Sequence, residues 1–168
     1  MSDIKIIDNF LEKKDFDDLL KNIINKNFPW YVSDMSDYPN DNNTQLYHIL
    51  YKNNEANSDY FKTFQNVYNK LNIFLLHKAR LIATSKYDGK DNLFHIDVEN
   101  IELPNLKTAI YYINTNDGGT EFELNNQVVN SVSNRMIIFP YNLKHRTIKH
   151  KSGDTFRYVL NLNYIPIK

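Results

Sequence analysis

The chain has 168 residues, 42% of them hydrophobic, with 20 basic and 20 acidic side chains and no cysteine. That length and apolar content suit one domain with a substantial core, and the balanced charge leaves no global field to draw the protein onto nucleic acid or an anionic membrane. Lack of cysteine excludes disulfides, thiolate metal sites, iron–sulfur clusters and cysteine nucleophiles, so metal ligands must be His, Asp or Glu. Neither a basic-then-apolar leader nor an apolar run of about 20 residues appears, and a cytoplasmic location is the expectation. Asn and Lys are frequent while Gly, Ala and Arg are scarce. Such a bias is expected of an AT-rich genome, that of a phage or a bacterium.

Ile4, Ile6 and Ile7 open the chain as a short apolar strand, and Asp8-Asn9 supply turn and cap chemistry ahead of a helix. Phe16, Leu19, Leu20, Ile23 and Ile24 then recur at helical spacing, the stripe of an amphipathic helix facing a core. Residues 33–45 are rich in Asp, Asn, Ser and Pro and predict a long surface loop, a candidate substrate lid. Tyr60, Phe64, Val67, Tyr68, Leu71 and Leu75 predict a second helix ending near His77-Lys78. From Ala79 the period becomes that of strands, with runs at 79–87, 107–114, 120–124, 127–131, 135–139 and 155–165 punctuated by Asn, Asp, Gly and Pro. Helices first and short antiparallel strands second predict an α+β domain, with helical support and the loop in 1–78 and a closed sheet in 79–168.

His95-Ile96-Asp97 is the most informative motif. In an extended segment residues i and i+2 face the same way, so an imidazole and a carboxylate can meet one ion while Ile96 turns inward. The tripeptide alone is as easily a surface pair. A third ligand must come from the other histidines, His48, His77, His145 and His150. His145 follows the apolar run Met136–Phe139 and the turn Pro140-Tyr141-Asn142, at the start of a further strand, and is the best-placed candidate. His150, in a Lys-His-Lys turn, reads as solvated; His48 and His77 read as packing or surface residues. Two histidines and one carboxylate on one face of an octahedral ion, with the opposite face open, are the donor set of non-heme Fe(II) oxygenases.

Several segments resemble the 2-oxoglutarate and Fe(II)-dependent dioxygenases in their small prolyl-4-hydroxylase-like branch. They are Ile6-Ile7-Asp8-Asn9-Phe10-Leu11, Tyr87-Asp88-Gly89 ahead of His95-Ile96-Asp97, Ile110-Tyr111-Tyr112-Ile113-Asn114, Gly119-Thr120-Glu121-Phe122, Asn134-Arg135-Met136-Ile137-Ile138-Phe139, His145 and Arg157. Their order covers almost the whole chain. The resemblance implies a double-stranded β-helix, or jelly roll, backed by N-terminal supporting helices. It also implies Fe(II) held by His95, Asp97 and His145, with 2-oxoglutarate and O2 as cosubstrates.

The far carboxylate of 2-oxoglutarate needs a matched cation, and arginine supplies a planar fork of charge-assisted donors. Of the four arginines, Arg146 would face away from the metal if His145 faces it, Arg135 stands at a strand entrance as a structural or solvated residue, and Arg80 either touches substrate or braces the sheet. Arg157, inside the apolar strand from Phe156 to Ile165, needs a buried anion and matches the family's carboxylate anchor. The resemblance implies that Tyr112 gives its hydroxyl to the same carboxylate and that Tyr87 lines the pocket. Thr120, Asn161 and Asn163 are secondary candidates for that lining.

Other readings are a non-catalytic jelly-roll ligand-binding protein and a structural zinc site. The first leaves the two histidines, aspartate and arginine without a purpose, and the second lacks a fourth protein ligand. Asp97 stands against a halogenase, whose halide needs that coordination position. A prolyl or other peptidyl substrate ranks ahead of a free amino acid or other small molecule. Trp30, Tyr31 and Tyr38 are candidates for an aromatic wall against a peptide.

Overall fold

The computed structural model describes residues 4–33, 45–86, 92–99 and 103–168. The expected loop over 33–45, apart from its end residues, lies outside the described residues, as do Tyr38 and Tyr87.

Strand β1 (Lys5–Ile7) leads to helix α1 (Lys13–Ile23), which buries Phe16, Leu19 and Ile23, the stripe expected from their spacing. Strands β2 (Tyr31–Ser33), β3 (Gln45–Lys52) and β4 (Glu55–Ala56) follow, none of them expected from the sequence. Gln45, His48 and Leu50 are buried at uneven intervals among half-buried Leu46, Tyr47, Ile49 and Tyr51, so no period of two stands out. The second helix is shorter than its apolar spacing suggests. A 3-10 helix (Asp59–Phe64), capped by the Ser58 hydroxyl on Tyr60 N, passes into helix α2 (Gln65–Lys70). Asn72, at φ 52°, then takes the left-handed conformation that ends helices. Strand β5 therefore begins at Ile73 and runs to Ser85, and Leu75, His77 and Lys78 belong to it instead of to a helix. Sheet structure reaches well into the region expected to be helical support.

Strands β6 (Lys107–Tyr112), β7 (Gly119–Phe122), β8 (Gln127–Asn130), β9 (Arg135–Pro140), β10 (His145–Ile148) and β11 (Phe156–Pro166) complete the chain close to their expected positions. An eight-stranded sheet has the order β1-β9-β6-β11-β5-β3-β2, with β4 paired to β3, and a smaller sheet has the order β10-β7-β8. All pairings are antiparallel.

The two faces of the large sheet do different work. Ala79, Leu81, Ala109, Tyr111, Met136, Leu160 and Leu162 point outward and pack under α1 and α2 with Phe10, Phe16, Phe64 and Val67. Ile82, Ile110, Tyr112, Ile137, Phe139 and Val159 point the other way, toward Phe122 and Val129 of the small sheet. This is the two-layer jelly roll with supporting helices that the sequence predicts.

Asn134 ties the N-terminal segment to this frame. Its φ of 61° suits an asparagine better than a branched residue. Its side-chain oxygen accepts from Leu11 N (2.9 Å) and the Tyr111 hydroxyl (2.6 Å), and its amide donates to Leu11 O (2.9 Å). All are buried, so truncation strands several polar groups away from water. Asn134→Ala is expected to lower stability by roughly 3 kcal/mol, read from denaturant melts. A loss under about 0.5 kcal/mol, the usual span of surface substitutions, would refute this role.

Candidate metal centre

The segment holding His95 is not a regular strand. It forms a single bridge with the start of β10, in which His95 N donates to His145 O (2.9 Å) and His145 N donates to His95 O (3.0 Å). That reciprocal pair sets the imidazoles side by side, with ring centroids 4.8 Å apart. Asp97 reaches both: its Oδ1 lies 3.8 Å from His95 Nε2 and its Oδ2 3.6 Å from His145 Nε2. One donor atom from each residue falls within 4.8 Å of the others. The three expected ligands are thus brought together, although the extended geometry assumed for the tripeptide holds only locally.

Both imidazoles are held in the same way. Nδ1 of His95 lies 3.1 Å from Leu93 O and Nδ1 of His145 lies 3.1 Å from Leu143 O, the carbonyl two residues back in each case. A carbonyl only accepts, so each Nδ1 carries a proton, which leaves Nε2, on the Asp97 side, as the atom that can give its lone pair to a metal once its own proton is lost. This is how histidines are oriented for a metal by their outer hydrogen bonds. Phe139 closes the back of His145, with centroids 4.8 Å apart and the rings nearly perpendicular.

Asp97 is held by the large sheet, where Asn161 of β11 donates to its Oδ2 at 2.9 Å. Burial pushes the carboxyl up, but His145, His95, Arg80 and the Asn161 amide outweigh it and hold the group at about 2. The carboxylate is therefore ionised at neutral pH, as a metal ligand must be.

Arg146 points away from the cluster, as its place beside His145 predicts. It bonds Glu121 of β7 through Nη2 at 2.6 Å and lies 4.5 Å from the Phe94 ring, clamping the His95 segment onto the small sheet. Arg135 is paired with Asp8 near the surface, the structural role expected of it. Arg157 is 2% exposed, donates to Gly119 O at 3.2 Å, and has no hydrogen-bond partner for Nε among the described residues. Its guanidinium carbon lies 5.4 Å from the centre of the Tyr112 ring. The Tyr112 hydroxyl lies 2.8 Å from Thr120 Oγ1 and 3.2 Å from Val129 O. Gly119 has to be glycine for β7 to lie this close to β8, since a Cβ there would sit 2.5 Å from Val129 O.

A cavity of about 30 Å³ is lined by the three candidate ligands together with Gln45, Arg80, Ile82, Asn92, Thr147, Arg157 and Asn161. Asn163, Tyr112 and Thr120 are buried beside it without lining it, and Asn163 donates to Thr108 Oγ1 at 3.0 Å. Thr147 was legible in principle, since it shares the face of His145 two residues along β10. Gln45 and Asn92 had no such signal. His150, expected to be solvated, is fully buried, with Nε2 3.0 Å from Asp154 O. The loop from β10 to β11 turns it inward, which the flanking lysines do not reveal. His48 is a packing residue between Pro29 O and the Ser58 hydroxyl, 2.7 Å from each.

No protein-family model and no curated protein matches the chain. Among solved structures, a prolyl-4-hydroxylase of Pseudomonas putida is similar over 100% of this chain and 95% of its own, with 11% identity and a TM-score of 0.65. A 2OG-Fe(II) oxygenase family oxidoreductase from Burkholderia pseudomallei covers 96% and 84%, with 9% identity and a TM-score of 0.69. A prolyl hydroxylase from Trichoplax adhaerens, solved with a hypoxia inducible factor peptide fragment, covers 96% and 83%, with 16% identity and a TM-score of 0.65. The chain therefore has the double-stranded β-helix fold that these oxygenase and prolyl hydroxylase structures share.

Proposed function

We propose that the protein is an Fe(II)- and 2-oxoglutarate-dependent hydroxylase acting on a prolyl or other peptidyl residue. The observation that carries this reading is one cavity holding two imidazoles and an ionised carboxylate beside a buried guanidinium with an unpartnered Nε. The donor set suits Fe(II), and His95, Asp97 and His145 would hold it. When bound, Fe(II) with 2-oxoglutarate and O2 supplies oxidative decarboxylation to succinate and CO2, with the second oxygen atom inserted into a substrate C–H bond.

The chain's own residues supply orientation. The carbonyls of Leu93 and Leu143 keep the imidazole lone pairs aimed inward, and Asn161 fixes the carboxylate. Arg157 offers its guanidinium to the distal carboxylate of 2-oxoglutarate, with Tyr112 and Thr120 forming the wall behind it. A peptidyl substrate is favoured by a hollow of about 430 Å³ formed by Pro29, Tyr31, Tyr47, His48, Ile49 and Tyr60. Two of its residues, Tyr47 and Ile49, are the cross-strand neighbours of Ile82 and Arg80, which line the cavity. Aromatic-lined grooves are a recurrent means of holding extended, proline-containing segments.

Anaerobic addition of Fe(II) and 2-oxoglutarate is expected to give a visible charge-transfer band, and admission of air to release succinate. Absence of both would refute the oxygenase reading. His95→Ala and Asp97→Ala are expected to abolish turnover and the band together. Arg157→Ala is expected to keep metal binding but to raise the 2-oxoglutarate requirement about 10- to 100-fold, the loss of a charged hydrogen-bond partner worth roughly 1.5–3 kcal/mol. An unchanged requirement would place the anchor elsewhere.

A further inference from the structure

Arg157 accounts for one buried cation, but the inward face of β5 carries two more. Lys78, Arg80 and Ile82 alternate along that face, and Ile82 belongs to the cluster between the sheets. Arg80 lines the metal-centre cavity, and its Nε is buried without a hydrogen-bond partner among the described residues. Lys78, two residues toward the strand start, is half-buried. Among the described residues, neither forms an ion pair with a carboxylate. Asp97 is near enough to act electrostatically on both, but it is already engaged by His95, His145 and Asn161. Lys52, exposed at the end of β3, adds a third positive charge to the same field. Two like charges side by side and partly withdrawn from water are costly unless an anion joins them.

The register separates this pair from the cosubstrate anchor. Arg80 is paired with Asn161 and Lys78 with Asn163, whereas Arg157 is paired with Thr84 at the other end of the same ladder. Four residues of strand, about 13 Å at 3.3 Å per residue, divide Arg157 from the Arg80 row. The His95–Asp97–His145 cluster reaches this ladder at Asn161. Arg80 also pairs with Ile49, which lines the aromatic hollow.

Resting on the oxygenase reading above, we propose that the substrate carries a carboxylate that docks on Arg80 and Lys78, separate from the carboxylate held by Arg157. Arg80 supplies the planar fork beside the candidate metal ligands, and Lys78 supplies a point charge two residues along the same strand. Asp97 close by disfavours a dianion such as phosphate and leaves a single carboxylate as the matching group. Burial, reinforced by Arg80, pushes the Lys78 ammonium down to about 8. A docked carboxylate would reverse that push. The carboxylate comes either from an acidic residue of a peptide or from a free acidic amino acid.

The test loads the protein with Zn(II) and 2-oxoglutarate, which permits binding without turnover, and titrates blocked peptides identical except for Asp, Asn or Lys at one position, plus free aspartate. Calorimetry is expected to show the Asp peptide or free aspartate bound at least tenfold more tightly than the Asn peptide. Whichever of the two binds identifies the source. Arg80→Glu is expected to abolish that preference and favour the Lys peptide. Lys78→Glu, at a half-exposed position, is expected to shift it the same way if Arg80→Glu does not fold. Equal affinity for all the peptides, or a preference unchanged in the folded variants, would overturn the proposal. So would a variant whose only change is weaker 2-oxoglutarate binding, since Arg80 would then serve the cosubstrate. Succinate release by the Fe(II)-loaded wild type is scored separately, so loss of the oxygenase reading and loss of this proposal give different results.

Discussion

The site depends on two backbone hydrogen bonds, from His95 N to His145 O and from His145 N to His95 O. They join residues fifty positions apart and set both imidazoles beside Asp97. Each ring is then locked by the carbonyl two residues behind it. Without the bridge, Asp97 would have one histidine and no second. Arg146 reinforces it from the far side by pinning Phe94 and Glu121 together, so a residue pointing away from the cavity helps to keep the cavity closed.

The two sheets divide the remaining work. The small sheet carries one histidine on β10 and bridges to the other, while the large sheet supplies Asn161, Arg80 and Arg157 from adjacent long strands. Apolar residues fill the outward face under the helices, which frees the inward face to bury polar groups. Burying so many there is tolerable because most are partnered, as Tyr112 is with Thr120 and Asn163 with Thr108. Among the described residues, Arg80 Nε, Asn161 Oδ1 and Arg157 Nε are buried without a partner and belong to residues that line the cavity. Two guanidinium donors left unsatisfied in one cavity suit a site that an anion enters.

Much of this was legible from local pattern. The stripe of Phe16, Leu19 and Ile23 gave α1 its buried face, and the alternation around Ile110 and Tyr112 placed Tyr112 on the inward side. The second helix was misjudged because Leu75 continues the helical spacing by coincidence after Asn72 has ended the helix. Strand β3 was missed because its buried positions, Gln45, His48 and Leu50, mix polar with apolar residues at uneven spacing. His150 looked solvated because its neighbours are charged, yet the loop turns it inward to Asp154 O.

The sequence by itself determined the donor types, the run of short antiparallel strands after a helix and the parity that sends Arg157 inward while Arg146 faces out. These follow from residue chemistry and from the period of two along a strand. Tertiary structure decided which histidine meets the His-X-Asp pair, that Asn161 holds Asp97, and that Arg80 and Lys78 share the cavity side of β5. Those facts depend on register between strands far apart in the chain, and register is set by the packing of two whole sheets, not by any local run of residues.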